Sequence, residues 1–169
     1  MLNEGTHIDL VNRLGTMRKV LDILVPESTS AAAEEAGDAA LEAVGRRELT
    51  ESIMLLEEGV QANPFWLRGY LFLATIYEYT QKAESAITTM EQGLAMCTSG
   101  LRLFSAQRGA ETPERINGPV VHRRIWNQGE RLRQYERMFR HRLAMLQIHC
   151  GRFDEAIAQW SAIEEVHCV

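Results

Sequence analysis

The sequence predicts an all-α fold of stacked antiparallel helix hairpins, with a short N-terminal helix and an irregular insertion. Three observations carry this. Apolar residues recur at helical spacing along most of the chain. A pattern of large and small residues repeats with a period of 34. The composition is 46% hydrophobic and 24% charged, with 12 Gly and 4 Pro, which excludes both a disordered and a low-complexity chain. At 169 residues the chain has room for one domain with an arm.

Residues 1–26 are expected to form an amphipathic helix. Ile8, Val11, Leu14, Met17, Leu21 and Leu24 recur at helical spacing, and Leu10, Leu14, Met17, Leu21 and Leu24 trace a coiled-coil seam. Thr6 and Asp9 suit its start, and Pro26 its end. Such a helix serves either as an assembly handle or as one more helix on the body, and the second reading is favoured. Residues 27–36, ESTSAAAEEA, have no hydrophobic face and read as a linker. The body then covers 37–169.

The repeat is clearest in its middle unit. Tyr70, Leu73, Ala74 and Tyr77 form one face of a first helix, and Ala86, Met90 and Gly93 follow on a second. A small residue on each helix lets the two backbones cross closely. This is the pattern of a 34-residue tetratricopeptide unit. Thirty-four residues earlier stand Ser52, Leu56 and Gly59, closed by Pro64, with a weaker first helix near 37–46. Seventy residues later come Leu143 and Ala144 on a first helix. After a turn at Gly151 come Ala156, Trp160 and Ile163. The units fall near 33–66, 67–100 and 137–169. Asn63-Pro64 reads as the helix start of the middle unit.

The insertion, about 101–136, breaks the period. Gly100, Gly109, Pro113, Gly118 and Pro119 predict a loop-rich first half, with helix resuming near Val120 or Val121. It also concentrates charge. Residues 101–142 hold ten arginines against four glutamates, a local +6, while the chain totals −5 and the remainder −11. Arginine without lysine suits planar bidentate pairing to carboxylate or phosphate. Pairing within the chain and docking onto an acidic partner are the two main readings. Nucleic acid is disfavoured, because no recognition motif accompanies the charge.

No catalytic constellation stands out: no Gly-rich phosphate loop, no G-x-S-x-G and no H-E-x-x-H. His149-Cys150 and His167-Cys168 resemble a ligand set, but they fall at opposite ends of a helix hairpin about 20 Å long, too far for one zinc ion. Cys150 reads instead as a small packed residue. Three cysteines, at 97, 150 and 168, do not make a disulfide framework. The start MLNEGTHIDL lacks the regions of a signal peptide, and no apolar run is long enough to span a bilayer. The expectation is a cytoplasmic, non-enzymatic protein without cofactor or metal.

A narrower resemblance covers residues 48–104. The run ELTESIMLLEEGVQANPFWLRGYLFLATIYEYTQKAESAITTMEQGL, followed by GLRLF, is similar to TssA proteins of type VI secretion systems, in their VasJ-like branch. The matching positions are Asn63 to Leu67, Ala86-Ile87, Gly100 to Phe104, Gly109 to Pro113 and Trp126. The later string RMFRHRLAMLQIHCGRFDEAIA resembles helices near that family's C-terminus. The Gly109 loop reads GAETP rather than Asp-Gly-Thr-Pro. The stretch after Trp126 is short, and the large N-terminal domain and the terminal Trp-Glu-Pro have no counterpart. The resemblance implies a scaffold that helps assemble the baseplate or the sheath and tube of such a machine, without chemistry of its own. The alternative is a tetratricopeptide adaptor or chaperone holding a partner's peptide or helix.

Partner-binding candidates follow from the charge and aromatic pattern. Arg123, Arg124, Trp126, Arg131 and Tyr135 lie in the arginine block, and Trp, Tyr and Arg dominate interface hot spots. Arg68 and Tyr79 lie off the main face of the middle unit's first helix. Protein partners, including a second copy of the chain, are expected, because the last helix (Ala156, Trp160, Ile163, Val166) has no following unit to cover its flank.

Overall fold

The computed structural model describes residues 2–24, 31–110 and 119–165, with side chains for 2–22, 31–106 and 128–163. The described residues form seven helices: α1 (Glu4–Leu24), α2 (Ala31–Gly45), α3 (Leu49–Ala62), α4 (Leu67–Tyr79), α5 (Ala83–Ala110), α6 (Pro119–His149) and α7 (Phe153–Glu165). Sequential helices pack on one another from α2 to α7, and α1 packs on α4 and α2.

Three turns are built alike. Arg47, Gln81 and Gly151 each take a left-handed conformation, with φ of 67°, 60° and 74°. In each turn the next amide donates back to a carbonyl five residues earlier: Glu48 to Ala43, Lys82 to Tyr77 and Arg152 to Gln147, at 2.8–2.9 Å. The left-handed residue's own amide donates to Val44, Glu78 or Ile148, at 2.9–3.1 Å. This is the Schellman closure of a helix C-terminus. The three positions are separated by 34 and 70 residues, the same offsets as the side-chain repeat. Only the last turn uses glycine, the residue that adopts this conformation without a Cβ penalty.

Burial follows the repeat. The small residues Ser52, Ala86 and Ala156 are at most 1% exposed. Tyr70, Leu73, Ala74 and Tyr77 are all buried, as is every residue of α4 from Leu67 to Tyr77. Glycines then admit aromatic rings. The Trp66 ring is enclosed by Gly37 of α2, Gly59 of α3 and Gly69 of α4. A Cβ at Gly37 would meet it at 3.1 Å and one at Gly59 at 2.7 Å, with Gly69 closer still. Along α5 and α6 the same device repeats with a spacing of seven: Gly93 faces Phe139 and Gly100 faces Leu132. The roles then invert, so that Gly129 faces Phe104. Without side chains at these places the helices approach closely, and a ring or, at Gly100, the Leu132 side chain of one fills the notch of the other.

Several boundaries differ from the sequence expectation. α1 begins at Glu4, because Asn3 caps it: the Thr6 amide donates to Asn3 Oδ1 at 2.8 Å. The 27–36 linker is half helix, since α2 starts at Ala31. Alanines have the highest helix propensity, and Ala33 and Ala36 pack on the core. Asn63-Pro64 does not open α4. Asn63 ends α3, Pro64-Phe65 make a turn, and Trp66 precedes the first residue of α4. The first half of the insertion is not all loop: α5 continues to Ala110, held by the Gly100–Leu132 and Phe104–Gly129 contacts, while 111–118 lie outside the described residues. Cys150 is exposed in the turn rather than packed, whereas Cys97 is buried.

Candidate interaction surfaces

α1 lies antiparallel to α4. Near one end the Tyr79 hydroxyl donates to Asp9, and near the other Arg68 Nη1 reaches Asp22 at 2.8 Å. Leu10, Leu14 and Leu21, the coiled-coil seam of the sequence, are at most 1% exposed, and Met17 packs beside them. The seam therefore faces the body, the reading favoured from the sequence. Around this apolar strip stands a charged frame. Glu78 of α4 takes Arg142 of α6 and, at 3.5 Å, Arg13 of α1. Arg142 also donates to Thr75 Oγ1 at 2.8 Å and approaches the Met17 sulfur at 3.6 Å. Burial lowers the Arg142 pKa, and the Glu78 charge opposes that shift. Arg18 pairs with Asp38 of α2, and His7 meets the Val44 carbonyl at 2.7 Å.

The sequence candidates are scattered by this arrangement. Arg68 and Tyr79 share the α4 face that meets α1. Arg68 is not at the surface: it is 4% exposed and bridges Asp22 and, at 3.8 Å, Glu34. Tyr79 is half-buried, with the Arg13 guanidinium 5.7 Å from its ring centre. Tyr135 is a core residue, 2% exposed and beside Phe139 at 6.3 Å between ring centres, so it is not an exposed anchor. Arg131 is half-buried on α6. Arg123, Arg124 and Trp126 fall on α6, but their side chains lie outside the described residues.

Within the arginine block, pairing inside the chain accounts for the stretch 133–142. Arg133 and Arg137 meet Glu130 at 3.5 and 3.2 Å, Arg140 meets Glu136 at 2.8 Å, and Arg142 meets Glu78. Sequence reading missed Arg142, Glu78, Asp9 and Asp22 as a connected frame. The visible signal was the leucine seam of residues 10–21, whose flanking charges had to meet whatever helix it covered.

A cleft of about 700 Å³ opens on the opposite side of α4, between α3 and α5. Tyr70, Leu73 and Tyr77 lie along its α4 side, and Glu57, Glu84, Ser85 and Thr89 stand on its other walls. The Tyr77 hydroxyl donates to Glu57, and the Lys82 ammonium lies 5.8 Å from the ring centre. Burial first, and then the bond to Glu57, push the Tyr77 hydroxyl up to about 12. The folded state thus favours the neutral phenol. That contribution is complete below the unfolded value near 10 and is lost as pH rises through about 12. Urea melts of wild type and Tyr77→Phe between about pH 8 and pH 11.5 check this: the wild type should lose more stability across the interval.

A third surface lies on α7. Ala156 packs inward, but Phe153, Ile157 and Trp160 are 60%, 58% and 37% exposed and form one stripe at offsets 0, 4 and 7. Gly59 and Gly93 notch α3 and α5 for an aromatic ring, whereas the corresponding α7 position holds Ile163. Of the flank expected at Ala156, Trp160, Ile163 and Val166, Trp160 is exposed, Ala156 is buried and Ile163 is half-buried; the exposed stripe runs instead through Phe153 and Ile157. Val166, His167 and Cys168 lie outside the described residues.

No family model, curated protein or solved structure matches the chain. Among the described residues no group of three or more His, Cys, Asp or Glu side chains is placed to hold a metal ion, and no helix is long and apolar enough to cross a membrane.

Proposed function

We propose that this chain is a non-enzymatic assembly component that works through protein–protein contacts, self-contacts among them. The observation that carries the reading is the Phe153/Ile157/Trp160 stripe on the last described helix. Every preceding helix from α2 onward is covered by the next one, and α7 presents its outer apolar side chains to solvent. Contiguous exposed apolar residues mark interaction sites more often than scattered ones do. The resemblance of residues 48–104 to TssA proteins supplies a setting, the baseplate or the sheath and tube of a type VI secretion machine. The NPFWL segment of that resemblance contains Trp66, the ring around which α2, α3 and α4 converge.

Light scattering after size exclusion tests the self-contact. The wild type should show a mass above 19.2 kDa that rises with concentration, and Ile157→Ser/Trp160→Ser should return it to the monomer with helicity intact. A wild type that stays monomeric at high concentration sinks the reading.

A second reading, an adaptor that holds a partner helix, is favoured by a different observation. The α4 face carrying Arg68, Thr75 and Tyr79 already accommodates one amphipathic helix, α1.

A further inference from the structure

The groove that α1 fills is built by other parts of the chain. α4 supplies Arg68, Thr75, Glu78 and Tyr79, α6 supplies Arg142, and α2 supplies Glu34 and Asp38. The ion pair between Arg142 and Glu78 and the bond from Arg142 to Thr75 involve no α1 atom, so this polar floor has its own partners. The Trp66 and Phe139 rings seat in glycine notches of α2, α3, α4 and α5, again without α1. Nor is α1 part of the hairpin series that the three equivalent turns define.

The hold on α1 itself is narrow. Among its described side chains, Leu10, Leu14, Leu21 and His7 are the buried ones. Its own charged groups sit at the rim, the Arg13 side chain 48% exposed and that of Asp22 51%, while Arg68, the partner of Asp22, is buried. Ile8, Val11 and Val20 stay 38–53% exposed on its other side. Exposed ion pairs contribute little and weaken with salt, so apart from the Asp22–Arg68 pair the attachment rests mainly on the leucines.

We propose that α1 is a displaceable cover occupying a helix-binding groove, and that the groove's external ligand is an amphipathic helix of the same chemistry. Such a helix carries leucines at the spacing of Leu10, Leu14 and Leu21, with an acid, a base and an acid placed as Asp9, Arg13 and Asp22 are. Those charges meet Tyr79, Glu78 and Arg68. This deepens the adaptor reading and rests on it. It is the helix-in-groove mode of recognition with its competitor carried in the same chain, whose high effective concentration keeps the groove closed.

The test uses the full chain and a fluorescein-labelled peptide of residues 2–24. In Leu14→Ala/Leu21→Ala the cover is weakened while every groove residue is kept. This variant should bind the wild-type peptide at least about tenfold more tightly than the wild-type chain does, as cis occupancy reduces apparent affinity. The peptide with Leu10, Leu14 and Leu21 changed to Ala should lose at least about tenfold. Equal affinity of variant and wild type for the peptide overturns the cover and leaves the adaptor reading standing. No binding by a folded variant overturns both. Native-state hydrogen exchange of the unmodified chain is a second measurement, independent of whether the variant folds. α1 amides should exchange through openings at least about tenfold more often than those of α4, and equal protection overturns the proposal.

Discussion

Replacing Trp66 by Ala should lower stability by about 3–5 kcal/mol, the usual cost of emptying a buried aromatic site. For a chain of this size that corresponds to a melting temperature lower by roughly 6–20 °C. The large effect follows from where the ring sits. Trp66 is 1% exposed and meets glycines on three helices, and those three positions have no side chain with which to close the void. The indole nitrogen is buried and has no hydrogen-bond partner among the described residues. Trp66→Phe removes that N–H while keeping a ring, and should cost less than Trp66→Ala. Gly69 supplies a sharper check. Its Cβ would collide with the indole, so Gly69→Ala should destabilise the wild type by about 1–3 kcal/mol through overpacking. In the Trp66→Ala background the collision is gone. The same change should then be stabilising by about 0.5–1 kcal/mol, the helix preference of Ala over Gly. Thermal or urea melts of the four proteins give the coupling directly. Additive behaviour would show that the ring is not held as described.

Arg142→Met should cost about 2–4 kcal/mol. The side chains of Arg142 and Glu78 are 16% and 18% exposed, and removing one member of such a pair leaves the other charge short of solvation. Arg13, 3.5 Å from Glu78, retains part of the compensation, which keeps the loss below that of a fully orphaned ion. Thr75 also loses a donor. The double change Arg142→Met/Glu78→Leu should recover much of the loss, because exchanging a buried pair for apolar groups of similar volume is often neutral. Denaturant melts of the two variants decide the point. A double variant less stable than the single one would mean that the two charges work separately.

Much of the fold was legible because its devices are local. The positions of Ser52, Ala86 and Ala156 and the turn at Gly151 could be read from spacing, and burial and backbone agree with them. The Arg47 and Gln81 turns were not readable as such, since neither residue announces a left-handed conformation. The helical stretch 101–110 was obscured for a similar reason. Gly100 reads as a breaker when taken alone, yet here it is a notch for Leu132 of a helix far away in the sequence. Candidate surface residues fared according to their partners. Arg68 and Tyr79 were read as off the face of Tyr70 and Leu73 and so as surface candidates, but the helix that meets them, α1, is set by long-range packing. Tyr135 belongs to the core because Gly93 and its neighbours bring α5 close to α6, which charge pattern alone does not reveal.

The unequal lengths of the helices have a mechanical consequence. α4 has 13 residues and spans about 20 Å, whereas α5 has 28 and spans about 42 Å. The second half of α5 extends beyond the length of α4 beside the first half of α6, joined by the Gly100–Leu132 and Gly129–Phe104 contacts, with Phe65 also near Gly100. The contacts from Gly93–Phe139 to Phe104–Gly129 span about 17 Å of paired helix. A rotation of about 10° at Gly93–Phe139 would carry the far end of that stretch by roughly 3 Å. The backbone positions of Arg123 and Arg124 lie on α6 beyond this stretch, so any such rotation would be enlarged further there.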